Sequence, residues 1–257
     1  MQKKEFIESF LGEDKKLISS LYDKICLCLK TEQTVFSAEF LNPRVWRKII
    51  EISQELGVRC CTKGINEECE KKILGIYIYE EPMEFPVTFI KIHNKSKFKT
   101  LEHKDYLGAL TSLGIKREKL SDIVVVENEA FLLAHNDIAH YILYSMEKVA
   151  NCPCEVSAIS ENEVNLGENQ LKTLNLISTS LRADCLVSSI CNISRSKAEQ
   201  LIGNGKVILN YEELKKKDKL IEVNDIVTIR SFGKFKFKEV VGDTQRGRLK
   251  IKIDKYL

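Results

Sequence analysis

Apolar residues recur at helical spacing through the first 56 residues of the chain. Phe6, Phe10 and Leu17 belong to an apolar series that continues to Leu29, and this series predicts one helix over residues 3–30. Asn42-Pro43 has the cap and first-turn residues of a second helix, which Gly57 would end. The apolar stripe of that helix would consist of Val45, Ile49, Ile52 and Leu56. With the polar stretch at 62–72, these patterns predict a small, mostly helical N-terminal domain over residues 1–72.

From Ile73 onward the period changes to that of β-strands. Two strands rich in β-branched and aromatic residues are predicted at residues 73–79 and 85–92. They are followed by a helix at 106–113, a hairpin at 123–134, a helix at 136–149 and a last strand at 155–159. Without its first strand, this order is the β-α-β-β-α-β plan of ferredoxin-like domains and RNA-recognition motifs. A ferredoxin-like, RRM-like α/β domain is therefore predicted over residues 73–160, with a polar linker reaching residue 172.

The plan by itself does not predict RNA binding by this central domain. RNA-recognition motifs stack bases on aromatic residues of their central strands. The corresponding strands here offer mainly Val124, Val125, Val126 and Leu132. Phe131 is the one aromatic residue of the predicted hairpin, and we expect it in the core.

The last third of the chain predicts a short helix-turn-helix that leads into a strand. The first helix would bury Ala183, Leu186 and Ile190, Ser194 can cap the second, and Val207–Leu209 would form the strand. Farther on, apolar and cationic residues alternate at residues 234–238 and 248–253, which predicts a ribbon with one apolar and one cationic face. The whole chain is predicted to be α+β and multidomain, with its third domain over residues 181–257.

Charge is distributed unevenly between these regions. Residues 181–257 hold 17 Lys and Arg against 10 Asp and Glu, a net charge of +7, whereas the remainder carries −4. A basic domain on a mildly acidic body is typical of a protein in which one module meets phosphates. A solvated basic surface would give the same count.

Cysteine spacing and hydropathy indicate the cellular compartment in which the protein is expected. The nine cysteines are an odd number and lack paired Cys-x-x-Cys spacing, so we expect reduced thiols with no metal and no cofactor. No stretch approaches the length of a membrane span, and no secretory signal is evident. A cytoplasmic protein without a membrane partner is expected.

The helix-turn-helix region resembles the RNA-binding domain named for ribosomal protein S4. The resemblance rests on Arg182-Ala183-Asp184-x-Leu186 and on the run from Ser194-Arg195-Ser196-Lys197-Ala198 through Gly205-Lys206-Val207 to Asn210, within residues 181–240. It implies that a basic helix surface lies against the phosphates of a folded RNA. The C-terminal domain is thus expected to be an S4 domain of the αL type.

Candidate RNA-binding residues follow from that resemblance and from the charge pattern. They are Arg182, Ser194, Arg195, Lys197, Gln200, Lys206 and Asn210 in the matched run, Lys236 and Lys238 in the ribbon, and Lys116 and Arg117 after Gly114. Ser194 could equally be only a helix cap, and the two cations after Gly114 only a solvated loop. Lysines on the ribbon could instead protect a strand edge from aggregation. We expect Asp184 to favour the first turn of its own helix and Gly205 to serve backbone geometry at a helix end.

The central segment is similar to the middle domain of the bacterial YlmH-type proteins. The similarity is carried by His103-Lys104-Asp105-Tyr106-Leu107-Gly108-Ala109-Leu110, by Leu113-Gly114-Ile115-Lys116-Arg117-Glu118-Lys119, and by Phe40-Leu41-Asn42-Pro43. It implies a ribosome-associated RNA-binding protein with a role in quality control on large subunits that carry stalled peptidyl-tRNA. The expected partners are rRNA, tRNA and the large ribosomal subunit, and a cell-division link is sometimes proposed for such proteins.

Enzymatic and adaptor functions are the alternatives. S4-type domains also occur in pseudouridine synthases, methyltransferases and tyrosyl-tRNA synthetases. This chain lacks a glycine-rich cofactor loop after a strand, and its matched module comes last, so we expect no enzyme and no catalytic residues. An adaptor could use the S4 module only for targeting and could bind a protein partner through its N-terminal helices.

Overall fold

The computed structural model describes residues 1–166 and 171–256, and the chain divides into two compact units, Met1–Gly167 and Glu168–Leu257. Its helices are α1 Lys3–Glu8, α2 Lys15–Thr31, α3 Pro43–Ile52, α4 His103–Ser112, α5 Asn136–Ser145, α6 Ala183–Cys191 and α7 Arg195–Gly203. Within the described ranges no helix combines the length and the apolar character that a membrane crossing requires.

The strands form three antiparallel sheets among the described residues. Those of the first unit are β1 Val35–Phe36, β2 Arg59–Lys63, β3 Ile73–Tyr77, β4 Val87–Asn94, β5 Val124–Val126, β6 Glu129–His135, β7 Lys148–Val149 and β8 Cys152–Ile159. Those of the second unit are β9 Leu171–Ser178, β10 Val207–Leu209, β11 Glu212–Glu213, β12 Ile226–Ile229, β13 Gly233–Asp243 and β14 Leu249–Tyr256.

The N-terminal region departs from the prediction in two ways. The single helix predicted over residues 3–30 is divided, because Gly12 has a φ of 86° and Asp14 caps a new helix by accepting a hydrogen bond from the Lys16 amide. The region is also not mostly helical, since a sheet of order β1-β3-β2 packs with its helices. The strand predicted at residue 73 thus pairs with N-terminal strands, and the boundary predicted after residue 72 lies between strands of one sheet.

The central sheet has the order β5-β6-β4-β8-β7. The predicted succession of strand, helix, two strands, helix and strand is present from β4 to β8. The second helix, predicted over residues 136–149, ends at Ser145, and the two-residue β7 follows it. One face of the sheet, with Ile90, Ile92 and Leu132, packs against α4 and α5 through Tyr106, Leu110 and Ile142. Gly114 ends the α4 region with a φ of 78°, as its position in the sequence indicates.

The opposite face of the central sheet is also buried. Phe131 and Leu133 point there, together with Phe89, and they pack against Phe40 and Ile73 from the N-terminal region. A polar contact strengthens this packing, because the half-buried Asp122 carboxylate accepts a hydrogen bond of 3.0 Å from the Lys71 amide. The predicted N-terminal and central domains therefore share one continuous compact unit.

The second unit is built on a sheet of order β11-β10-β12-β13-β14-β9. Its inner face packs against α6 and α7 through Phe235, Phe237 and Ile253, as the alternation of apolar residues predicts. The prediction of a two-stranded ribbon is wrong, because β13 and β14 are inner strands of this sheet and lie between β12 and β9. The strand β9 begins at Leu171, within the end of the predicted linker, and the sequence pattern did not reveal it.

Candidate nucleic-acid interface

A buried acid organises the basic surface at the start of α6 and α7. The Asp184 side chain is 0% exposed and lies between the guanidinium groups of Arg182 and Arg195. Arg182 donates from Nε to Oδ1 at 3.2 Å and from Nη2 to Oδ2 at 3.1 Å. Arg195 donates from Nε and Nη2 to Oδ2 at 3.0 and 2.7 Å. Asp184 lies in the first turn of its helix, as expected, and it also holds two arginines that the sequence separates by 13 positions.

Electrostatics keep this carboxylate charged. Burial alone would raise the pKa of Asp184, but hydrogen bonds from Arg182 and Arg195 outweigh burial and hold the pKa well below its usual range. Both guanidinium groups remain partly exposed, with relative side-chain exposures of 36% and 53%. The arrangement therefore fixes two permanent cations at the protein surface.

The start of α7 has the predicted capping geometry. The Ser194 hydroxyl oxygen accepts a hydrogen bond of 3.3 Å from the Lys197 amide, so its capping role is present whether or not it also meets RNA. Lys197 and Gln200 are exposed on α7, and Lys206 is exposed beyond the other end of this helix. Gly205 has a φ of 64°, which explains the backbone role expected of it.

A lysine-rich loop that sequence reasoning missed lies against the same surface. The α6 amides of Ala183 and Asp184 donate to the carbonyls of Lys219 and Lys217 at 2.9 and 3.0 Å. These bonds satisfy helix N-terminal amides and fix the exposed residues Lys215, Lys216, Lys217 and Lys219 beside Arg182. The run Lys215-Lys216-Lys217-Asp218-Lys219 was the available signal, but the sequence did not show which element it would contact.

Other candidate residues have internal partners. Asn210 donates from Nδ2 to Asp225 at 2.7 Å and accepts at Oδ1 from the Ile226 amide at 2.9 Å, so its amide group closes a turn of the sheet. Lys238 lies 3.3 Å from Asp254, the residue opposite Lys236 in the β13–β14 register. The ion pair of Lys238 with Asp254 reduces the free positive charge expected on the outer sheet face.

Lys234 belongs to the same outer sheet face, but its side chain contacts two aromatic rings. Its ammonium group lies 5.2 Å from the ring centre of Tyr211 and 4.8 Å from that of Tyr256. Burial lowers the pKa of Lys234 to about 8. Lys234 therefore supports the sheet, and the α6–α7 end is the stronger candidate for phosphate contact.

Lys116 and Arg117 belong to the first compact unit and are exposed. The Arg117 carbonyl accepts a hydrogen bond of 2.9 Å from Lys71 Nζ, which anchors the backbone of this turn. The prediction of a second RNA contact there stays a prediction.

The cysteines are free thiols. Burial raises the pKa of Cys60 to about 12 and that of Cys191 to about 11, so both are protonated at neutral pH. Over residues 1–166 and 171–256, no three His, Cys, Asp or Glu side chains group as a metal site requires.

Comparisons with known proteins bear on the central region and on most of the chain. A family model described as "Putative RNA-binding domain in YlmH" matches residues 81–163. A curated relative from Bacillus subtilis (strain 168), named "Ribosome-associated protein quality control protein P2", is 24% identical over 220 residues, which are 84% of this chain and 86% of that protein.

A solved structure named "Cell division protein ylmH from Streptococcus pneumoniae" is similar over 60% of this chain and 96% of that one. It is 18% identical, and the TM-score is 0.49.

The family model that matches residues 81–163 of this α+β protein supports a class of RNA-binding proteins. The chain is similar to the YlmH-type proteins through this match at residues 81–163 and through its relation to the Bacillus protein. The family resemblance seen in the sequence is thereby confirmed.

Proposed function

We propose that this protein is a non-catalytic, ribosome-associated factor that binds structured rRNA or tRNA on the large subunit and acts in ribosome quality control. The observation that carries the proposal is the arginine pair held by the buried Asp184. The name of the Bacillus relative supports the ribosomal setting. A protein with this role works in the cytoplasm.

The arginine pair suits phosphate recognition. A guanidinium group carries five N–H donors in a planar fork, and Asp184 accepts from the one on Nε and from one of the two on Nη2. The other donors of Arg182 and Arg195 can bind phosphate oxygens in a fixed geometry. Because Asp184 holds both side chains before RNA arrives, less conformational entropy is lost on binding.

The architecture supports two finer assignments. A helix-turn-helix followed by β10 favours an S4-type RNA-binding domain in the second unit, and the order from β4 to β8 favours an RRM-like central domain. Binding without catalysis is supported by Asp184, because an acid paired with two arginines is a poor proton acceptor or nucleophile.

The test changes the loop lysines and leaves Arg195 in place. Removing Arg195 would take a partner from the buried Asp184, so a loss of binding could not be distinguished from a loss of folding. A triple variant Lys215→Ala, Lys216→Ala, Lys219→Ala removes three exposed cations beside the arginine pair. The matched control is Lys15→Ala, Lys16→Ala, Lys30→Ala, which removes three exposed cations from α2. Both variants are sedimented with purified ribosomal subunits over a range of salt concentrations.

We expect the loop variant to bind large subunits more weakly and to show a shallower salt dependence. Each lost phosphate contact lowers the slope of log affinity against log salt by about 0.7–0.9. The control should sediment like the native protein. Equal sedimentation of the loop variant and the native protein would contradict the proposed site.

A further inference from the structure

Phe98 is 99% exposed on the loop between β4 and α4. It stands in the run Lys95-Ser96-Lys97-Phe98-Lys99, in which three lysines surround one phenylalanine. Lys95 lies 3.0 Å from Glu155, and no ion pair within residues 1–166 involves Lys97 or Lys99. An exposed aromatic ring among cations has the chemistry that binds an unpaired base and its phosphates.

The loop is held in this arrangement by a buried amide. Asn94 is 2% exposed, donates from Nδ2 to the Lys99 carbonyl at 2.8 Å and accepts at Oδ1 from the Ser96 amide at 3.0 Å. The Lys95 amide also donates to the Pro153 carbonyl at 3.0 Å. These bonds fix both ends of the loop to β4 and β8, so the outward position of Phe98 is built into the fold.

The sheet itself cannot provide a stacking platform. The face of the central sheet opposite α4 and α5 is covered by Phe40, Ile65 and Ile73. Phe131 is 1% exposed beneath them, and Phe89 lies in the same cluster. RNA that meets this domain must therefore meet its edges or loops.

We propose that the loop of residues 95–99 is a contact for single-stranded RNA, in which Phe98 stacks on an unpaired base while Lys97 and Lys99 bind the adjacent phosphates. This inference rests on the proposed RNA-binding function and adds a second contact, in the first compact unit. One isolated ring offers little apolar area for a membrane or a protein groove, whereas stacking on a base needs one ring.

The experiment measures binding of the full chain to a fluorescently labelled, unstructured 12-nucleotide RNA by anisotropy. Phe98→Ala removes the ring, Phe98→Trp retains a stacking ring, and Tyr79→Ala is the control because Tyr79 is another exposed aromatic residue of this unit. Urea unfolding of each variant checks that the fold is unchanged.

We expect Phe98→Ala to weaken binding by about 10-fold or more, because one base–aromatic stack is lost. Its salt dependence should stay unchanged, since no cation is removed. Phe98→Trp should bind like the native protein, and RNA should quench its added fluorescence above the background of Trp46. A double variant Lys97→Ala, Lys99→Ala should lower the salt slope by about 1.4.

Native-like RNA binding by Phe98→Ala would overturn this proposal. If the Lys215–Lys219 loop variant still lost subunit binding in that case, the proposed function would stand without the second contact. If neither variant changed RNA or subunit binding, both would fail. Binding to phosphatidylglycerol vesicles is measured as well. If the native chain bound the vesicles, Phe98→Ala did not, and RNA binding were unchanged, the results would favour a lipid surface instead.

Discussion

The central sheet and the sheet of the second unit both carry two helices on one face, but their other faces differ. In the central sheet that face is buried under N-terminal residues such as Phe40 and Ile73. In the second unit the outer face exposes Thr173, Asn175 and Ile177. One sheet is therefore an inner layer of its unit, and the other is an outer wall.

The sequences of the strands explain this difference. β6 reads Ala-Phe-Leu-Leu-Ala through residues 130–134 and is apolar on both faces, as expected of a strand covered on two sides. β13 alternates lysine and phenylalanine, as expected of a strand covered on one side. The comparison indicates that both sheets serve as supports, while helix ends and loops carry the proposed RNA contacts.

The largest effect should follow from emptying the covered face of the central sheet. Phe131→Ala removes a ring that is 1% exposed, and we expect the free energy of unfolding of the first unit to fall by about 3–5 kcal/mol. Ile177→Ala, on the outer face of the second unit, should change stability by about 0.5 kcal/mol or less because Ile177 is 54% exposed. Urea unfolding measures both, and similar losses would contradict the contrast between the two faces.

A smaller effect is expected from Asp184→Ala in the second unit. The variant loses the charge-assisted hydrogen bonds to Arg182 and Arg195, at a cost of about 2 kcal/mol at pH 7. The exposed Asp243→Ala is the control and should cost little. Urea unfolding at pH 7 and at pH 3 provides the measurement.

The pH dependence of this loss has a definite sign. Because the pKa of Asp184 is lowered in the folded state, its contribution is fully present above the unfolded pKa of about 4. It is lost as the pH falls from there toward the lower folded pKa. The difference between native protein and variant should therefore be smaller at pH 3, and an equal difference at both pH values would assign the loss to packing instead of charge.

The α7 cap should contribute less to stability than Phe131 or Asp184. Ser194→Ala should cost about 1 kcal/mol, because the Lys197 amide loses its acceptor, whereas Ser194→Asp should keep the cap and the stability. Ser194→Asp adds negative charge to the proposed interface, so its affinity for large subunits should fall. Thermal unfolding and subunit sedimentation separate the two roles, and unchanged binding by Ser194→Asp would place Ser194 outside the interface.

Local structure could be predicted wherever it depends on neighbouring residues. The helix-turn-helix, the Ser194 cap and the strand at Val207–Leu209 were predicted with bounds close to those observed. The division of the first helix was missed because its apolar spacing continues on both sides of Gly12. β9 was missed because it is defined by its pairing with β14, which is far away in the sequence. Such long-range pairing cannot be recognised from the polar and apolar residues of one short strand.

The sequence by itself determined the α+β class, the basic C-terminal region, the YlmH-type family resemblance and most candidate cations, since periodicity, charge and motif spacing are properties of the chain. Only the tertiary structure joined Arg182 to Arg195 through Asp184 and brought the Lys215–Lys219 loop beside them. Only the tertiary structure covered the second face of the central sheet and left Phe98 exposed. These outcomes depend on contacts between residues far apart along the chain, which packing and hydrogen bonding select during folding.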